Sequence, residues 1–540
     1  MKQIAEVTPD KLRGGFYTSE PVVDFCVRRI LSLTRAEGPP QRWLEPSAGD
    51  GAFLLGLARA KNRGDVLSPR VTAVELNQAE ARKCAAVARG AGLRAEVVHD
   101  SFFSWAAASE AEFDALFGNP PFVRYQFVAE TDRELFEEQS RRLGIELRGV
   151  SNLWIPFAVL SLARLRAGGA FALVLPGEIV STVSAERFRS FFVRHFVSIQ
   201  VDLFPRDTFA ELLQDVVVLS GRRSRRPAPS RTVTFCEHQP GHEKRWSHQL
   251  SDSGESWVRY FLTDPERAAF ESARELPGVH RLGSVARLEV SIVTGANAFF
   301  TVDDATRQRF SLAKWSRPLL ARTADCPGLV FKSTDHEAAR RMGSRGWLLD
   351  FGPDRPAPID GAASYLELGS AQGLPGRFKC RIRDPWYRVP QIKSGMLMLA
   401  KRAHLHHRLL LNEACILTTD TVYRGDMKPD FAGQARDLVA AFQNTLTLLS
   451  TEIEGRSYGG GVLELVPSEI ARLSVPVVSL GRILPALDRI SREARGQRDT
   501  SESLRRRVDA ELARRIQGYG DLLPALEGAR RRLVARRLRT

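Results

Sequence analysis

The chain has 540 residues, a formal net charge of +15 and an isoelectric point near 9.9. That length exceeds one ordinary domain, so two or three are expected, and so large a cationic excess favours a polyanionic partner, nucleic acid first. Six cysteines stand singly with no Cys-x-x-Cys pair, which argues against a zinc ribbon or a disulfide framework and suits a reducing cytoplasm. The N-terminus "MKQIAEVTPDKLRGG" lacks the apolar stretch of a signal peptide, and no apolar run approaches the length of a membrane span.

From Arg42 to about Leu219, short β-like runs ("RWLEP", "VTAVEL", "AEVVHD", "FDALFGN", "GGAFALVLP", "SIQVDLF", "DVVVLSG") alternate with helical stretches. Such alternation predicts a parallel, doubly wound α/β sheet, with the last two runs suited to an antiparallel hairpin at one edge. "GRRSRRPAPSR" then reads as an exposed connection, and from Leu282 to about Pro476 the pattern becomes irregular and turn-rich. The end of the chain, "SLRRRVDAELARRIQGYGDLLPALEGARRRLVARRLRT", is helical and strongly basic. The expected organisation is an α/β domain over residues 1–245, a mixed α+β domain over 246–480 and a basic helical segment over 481–540.

The first domain carries the chemistry. In "WLEPSAGDGAFLLGLARA" an apolar strand ends in Glu45 and Pro46, a loop of small residues holds Gly49 and Gly51, and a helix follows. Glycines there let the backbone approach a ligand at the carboxyl end of the first strand, where nucleotide-like groups bind in such folds. Glu75 ends the next strand, about twenty residues on, the spacing at which an acid grips ribose hydroxyls. Asp100 ends the third, suited to accept from an exocyclic amine, with Phe102 placed to cover a base. The fourth strand runs into "FGNPPFVRY", where two prolines without N–H donors must stop the ladder and hold a rigid extended shape.

With these motifs the sequence resembles the class I S-adenosylmethionine-dependent methyltransferases, which have a Rossmann-like catalytic domain. More narrowly it resembles the gamma group of adenine-N6 DNA methyltransferases, whose (Asn/Asp/Ser)-Pro-Pro-(Tyr/Phe) motif is matched by Asn119, Pro120, Pro121 and Phe122. The resemblance implies that the Asn119 side-chain oxygen and the Pro120 carbonyl accept the two hydrogens of the target amine. It assigns S-adenosylmethionine to Glu45, Pro46, Gly49, Gly51, Glu75, Asp100 and Phe102, with Tyr17 and Thr18 matching a Tyr-Thr-Pro segment that touches the methionine end. Phe122 and Phe204 are expected to stack on the flipped base, Phe209 being second to Phe204. The motif also occurs in ribosomal RNA methyltransferases and in enzymes that methylate a release-factor glutamine, since all these acceptors are planar nitrogens.

The second domain resembles the target-recognition region of that restriction–modification family. The resemblance lies in "LEVSIVTGANAFFTV", "KSGMLMLAKR", "LTTDTVYRG" and "SYGGGVLELVPSEIARLSVP", with Gly459, Gly460 and Gly461 fitting either a close approach to DNA or a plain turn. "HLHHR" (His404, His406, His407) lacks an acidic or cysteine partner at ligand spacing, so no metal is expected and an exposed or DNA-facing patch is preferred. The basic runs "RRSRRP" and "RRRLVARRLRT" fit phosphate contacts or solvated helix faces. The resemblance thus implies a cytoplasmic, site-specific adenine-N6 methyltransferase of double-stranded DNA, served by a separate restriction endonuclease rather than a fused one. The alternatives are an RNA adenine-N6 methyltransferase and a catalytically silent DNA-binding specificity subunit.

Overall fold

The computed structural model describes residues 18–538, apart from 124, 148–151, 182–184, 205–215, 226–231, 240, 251–255, 391, 459–460 and 494–497. The chain divides into two compact units, Met1–Trp257 and Val258–Thr540. Among the described residues no helix is long and apolar enough to cross a membrane.

The first unit is built on one nine-stranded sheet. Its strands are β1 (Arg42–Glu45), β2 (Arg70–Glu75), β3 (Arg94–His99), β4 (Phe113–Gly118), β5 (Leu165–Pro176), β6 (Phe196–Leu203), β7 (Val216–Arg223), β8 (Thr232–Gln239) and β9 (His242–Gln249). Their spatial order is β3-β2-β1-β4-β5-β7-β6-β8-β9. Strands β1 to β5 are mutually parallel, and β7 runs antiparallel to both its neighbours. The antiparallel β7 expected at a sheet edge is therefore interior, because the hairpin β8–β9 extends the sheet beyond β6. The apolar run "FDALFG" makes β4 buried at every position, as a strand covered on both faces must be.

Four helices cover the functional end: α1 (Glu20–Thr34), α2 (Ala52–Asn62), α3 (Gln78–Gly90) and α4 (Phe102–Ala108). Val22, Val23, Cys26, Val27 and Ile30 of α1 share one core with Leu54 and Leu57 of α2, Phe117 of β4 and Val174 of β5. Helix α3 starts where it does because the Asn77 side chain accepts from the N–H groups of Ala79 and Glu80, satisfying two donors that no turn of helix can.

The second unit has a five-stranded sheet and a four-stranded sheet, each with its own apolar cluster. "KSGMLMLAKR" supplies Leu397–Ala400, an interior strand of the larger sheet, paired with Leu409–Asn412 and Val422–Met427. Two other sequence landmarks meet side by side: Ser291 Oγ donates to the Thr418 carbonyl at 2.7 Å, and Asn297 Nδ2 to Asp420 at 2.8 Å. The helices Arg498–Arg515 and Tyr519–Leu538 contribute Leu504, Val508, Leu512, Leu526 and Leu533 to the core that also holds Phe270 and Leu438.

In the second unit the readings of His407 and of the basic C-terminus change, and for Gly461 the plain turn is the alternative found. His407 is fully buried rather than exposed, and burial pushes its ring down to about 3, so it is a neutral core residue. Gly461 is a packed turn with φ of +74°, its carbonyl accepting from Arg537; Gly459 and Gly460 lie outside the described residues. Much of the basic C-terminus is engaged within the unit: Arg530 pairs with Glu502, Arg532 with Glu266 and Arg537 with Glu452. In "RRSRRP" of the first unit, Arg222 and Arg225 likewise pair with Glu37, while Arg226 and Pro227 lie outside the described residues.

Candidate active site

Strand order reverses between β1 and β4, so the chain leaves the sheet in opposite directions there and a crevice forms beyond the strand ends. Glu45, Glu75, His99 and Gly118 are the last residues of β1, β2, β3 and β4. Parallel pairing carries these four strands to the same end of the sheet.

The loop after β1 is tied to both neighbouring strand ends. Gly49 (φ +53°) and Gly51 (φ +93°) adopt the left-handed conformation, and a Cβ on Gly51 would lie 3.3 Å from the Cys84 backbone of α3. The Gly49 N–H donates to Glu75 Oε2 at 2.9 Å, while Glu75 Oε1 accepts from the Asn77 N–H at 2.7 Å. On the other side Ser47 Oγ donates to the Asn119 carbonyl at 3.1 Å. The glycine loop and the Asn-Pro-Pro-Phe turn are thus one hydrogen-bonded assembly. Asn119 Nδ2 donates to Thr18 Oγ1 at 3.2 Å, which joins Thr18 to it; Tyr17 lies outside the described residues.

Beneath the loop, Glu45 is 1% exposed and Pro46 is buried. Burial, with Asp50 and Glu75 adding negative charge, holds the Glu45 carboxyl well above the usual carboxylate range. Its Oε2 has no hydrogen-bond partner among the described residues. A buried acid with an unsatisfied oxygen beside a glycine loop suits a cationic group such as an ammonium.

The third strand end differs from expectation in one respect. Asp100 is exposed, with Oδ1 accepting from the Ser101 N–H at 2.7 Å, and Ser101 Oγ donates to Asp132 at 2.6 Å. Phe102, expected to cover a base, is only 3% exposed; its ring packs 4.6 Å from Phe157 and 6.0 Å from Trp105. As the first residue of α4 it points into the apolar layer under that helix, which offers a larger burial gain than a solvent-facing wall.

Phe122 and Phe204 are both partly exposed and both border the core containing Phe117. Phe204 has the Phe25 edge 5.1 Å away and the His238 ring stacked at 4.7 Å. Phe209 falls outside the described residues.

Behind Phe204 lies a cluster that the sequence reading lacked. Asp202 (β6), Cys236 and His238 (both β8) bring ligand-type atoms within 4.8 Å of one another. His238 Nε2 meets Asp202 Oδ1 at 2.9 Å, and Gln200 Nε2 donates to the same oxygen at 2.6 Å. Arg29 donates to Gln200 Oε1 at 2.7 Å, and Arg245 lies beside Glu243 at 3.4 Å. The two guanidinium groups flank the cluster through Gln200 and Glu243, and Asp202 Oδ1 is shared by His238 and Gln200, so the arrangement reads as a polar brace, with Asp202 Oδ2 unpartnered among the described residues. The "CEH" alternation places Cys236 and His238 on one strand face, but only the β6–β8 register, Asp202 opposite Cys236, completes the group.

A family model described as the C-terminal domain of the type II methyltransferase M.Eco57I matches residues 254–512. The type II methyltransferase M.XamI of Xanthomonas campestris pv. amaranthicola is 23% identical over 477 residues, covering 86% of this chain and 85% of its own. M.AccI of Acinetobacter calcoaceticus, also a type II methyltransferase, is 19% identical over 383 residues, or 66% of this chain and 68% of its own. A solved DrdV–DNA complex is 13% identical, with a TM-score of 0.45 over 77% of this chain and 49% of that one. The matched C-terminal model and these sequence relatives point to a DNA methyltransferase of a restriction–modification system, and the first unit has a Rossmann-like sheet.

Proposed function

We propose that the protein methylates N6 of a flipped-out adenine at a specific site in double-stranded DNA, as the modification component of a restriction–modification or phage-defence system. The observation that carries this reading is the hydrogen bond from Ser47 to the Asn119 carbonyl, which fastens the target-amine motif to the cofactor loop. S-adenosylmethionine supplies an electrophilic methyl group when bound. Glu45, Gly49, Gly51, Glu75, Asp100 and Thr18 would hold it, and the unsatisfied Glu45 oxygen fits its ammonium.

An adenine amine is a poor nucleophile because its lone pair is delocalised into the ring. Acceptance of its two hydrogens by the Asn119 side-chain oxygen and the Pro120 carbonyl draws the nitrogen toward tetrahedral geometry and aims the lone pair. The adjacent prolines fix both acceptors, so little reorganisation accompanies transfer. Flipping the base costs a few kcal/mol, and stacking against Phe122 and Phe204 returns roughly 1–3 kcal/mol per contact.

A labelled-methyl assay on duplex DNA, ribosomal RNA and release factor, followed by nucleoside analysis, tests the proposal. Label recovered as N6-methyladenine from the duplex is expected, and Asn119→Ala should abolish it while leaving cofactor affinity nearly unchanged. Label in RNA or protein, or recovered as N4-methylcytosine, would overturn it. A separate restriction endonuclease completes the proposed system and would cut the site this protein protects.

A further inference from the structure

In the second unit, the segment "RFKCRIRDPWYRVPQIK" (Arg377–Lys393) carries six cationic residues and one acid, Asp384. Its first turn, Phe378–Arg381, and the Ile382 that caps it show two large apolar side chains to solvent: Phe378 is 63% exposed and Ile382 65%. Four residues apart across that turn, they fall on the same face of it. Arg377, Lys379 and Arg381 around them are also exposed, with the Lys379 ammonium 5.4 Å and the Arg381 guanidinium 6.0 Å from the Phe378 ring.

The same turn is held from behind. Cys380, between the exposed cations, is fully buried in the apolar cluster with Phe299 and Leu349. Arg383 donates to the carbonyls of Val293 and Thr294, each at 2.7 Å. Gly295 (φ +81°) abuts the turn so closely that a Cβ there would lie 2.8 Å from Lys379 Cβ. Residues 293–295 belong to the landmark "LEVSIVTGANAFFTV", so part of that landmark serves as the clamp.

A soluble protein has little reason to anchor two bare apolar side chains so firmly in a ring of cations unless a ligand meets both. An apolar surface alone would suit another protein; the interleaved cations favour a polyanion with stackable faces. We infer that Phe378 and Ile382 form an apolar wedge against the base pairs of the target duplex, with Lys379 and Arg381 on the flanking phosphates. The inference rests on the DNA reading above and assigns part of site discrimination to this turn. The cations position the turn without reading sequence, and the wedge discriminates by which base step yields to it.

The test uses the full-length protein and two fluorescent duplexes, one bearing the motif that the wild-type protein methylates and one scrambled. Phe378→Ala/Ile382→Ala should weaken binding to the motif duplex roughly tenfold with little change on the scrambled one, narrowing the ratio between them. Lys379→Ala/Arg381→Ala should weaken both and reduce the salt slope by about two. Melting temperature and S-adenosylmethionine affinity should hold in both variants, since the side chains removed are exposed. An unchanged motif-to-scrambled ratio in the apolar variant, or an unchanged salt slope in the charge variant, would overturn the inference while the methylation reading stood. A wild-type protein that methylates no duplex would instead overturn the parent reading, and this one with it.

Discussion

The His238 ring lies flat against Phe204, with centroids 4.7 Å apart and planes 14° from parallel. Asp202 holds the far side of that imidazole through Nε2, and the edge of Phe25 closes on Phe204 at 5.1 Å. If Phe204 is one face of the base pocket, His238 sets its orientation without touching the base. Phe204→Ala should lower kcat/KM for duplex DNA by about 1–3 kcal/mol in transition-state terms. His238→Ala should cost about 0.5–1.5 kcal/mol, appearing mainly in kcat, with partial recovery in His238→Phe, which restores a stacking ring. Steady-state kinetics with saturating cofactor would show this; a Phe204 variant at wild-type kcat/KM would remove it from the pocket.

Glu75 spends its two oxygens on backbone N–H groups of Gly49 and Asn77, so in the proposed site it would do more than accept from a ribose. Each oxygen has a second lone pair for a hydroxyl, and the carboxylate shapes the loop that must approach the cofactor. Glu75→Ala should therefore raise the S-adenosylmethionine dissociation constant by at least about tenfold, through a loosened loop as well as a lost contact. Glu75→Gln, which keeps one acceptor oxygen, should fall between. Calorimetric titration with the cofactor decides it, and an unaltered constant in Glu75→Ala would remove the residue from both roles.

The Glu45 carboxyl, held above its usual range by burial and by Asp50 and Glu75, makes stability depend on pH in a definite direction. The folded protein keeps a proton there that the unfolded chain has released. Its contribution is whole at acid pH and declines as pH rises above the ordinary glutamate range, until the group ionises in the folded state too. Glu45→Gln should flatten that decline, so the variant melts above wild type at neutral pH and converges with it near about pH 4. In the proposed site S-adenosylmethionine should bind the variant more weakly, since a carboxyl can give up its proton as the ammonium approaches and an amide cannot acquire that charge. Melting curves from about pH 4 to 8, with and without cofactor, carry both expectations. A wild-type slope in the variant would contradict the first.

These residues also mark how far the sequence could be read. Strand ends, glycine loop and Asn-Pro-Pro-Phe turn are local patterns, each fixed by neighbours within a few residues, and so were legible one by one. Their joinery was not. The hydrogen bond from Ser47 to Asn119 spans 72 positions, and the contact between Asp202 and His238 needs two strands placed side by side. Phe102 and His407 were misread for a related reason. An aromatic or a histidine on a short motif has no sequence mark for which side faces solvent, and packing put both inside. The basic C-terminus misleads in the same way, because its partner acids lie far up the chain, at Glu266 and Glu452.

Arg505 is the centre of that C-terminal arrangement. It is 4% exposed by side chain, with Nη1 at 2.9 Å from Asp509 and 2.8 Å from Glu527, and Nη2 at 2.7 Å from Glu502. Asp509 is satisfied in turn by the Thr445 N–H at 2.9 Å, the Thr445 hydroxyl at 2.7 Å and the Tyr519 hydroxyl at 3.0 Å. Desolvation raises the Asp509 carboxyl despite these donors, so its charge depends on the guanidinium beside it. Arg505→Ala leaves the buried Asp509 without its cation and should destabilise the second unit by about 3–5 kcal/mol. Replacing both partners, Arg505→Met with Asp509→Leu, removes the orphan as well as the pair. The double variant should therefore cost less than the sum of its single substitutions, a coupling that urea denaturation of the four proteins would measure. Strict additivity would mean that the two charges do not depend on each other, and that hydrophobic packing alone docks these helices.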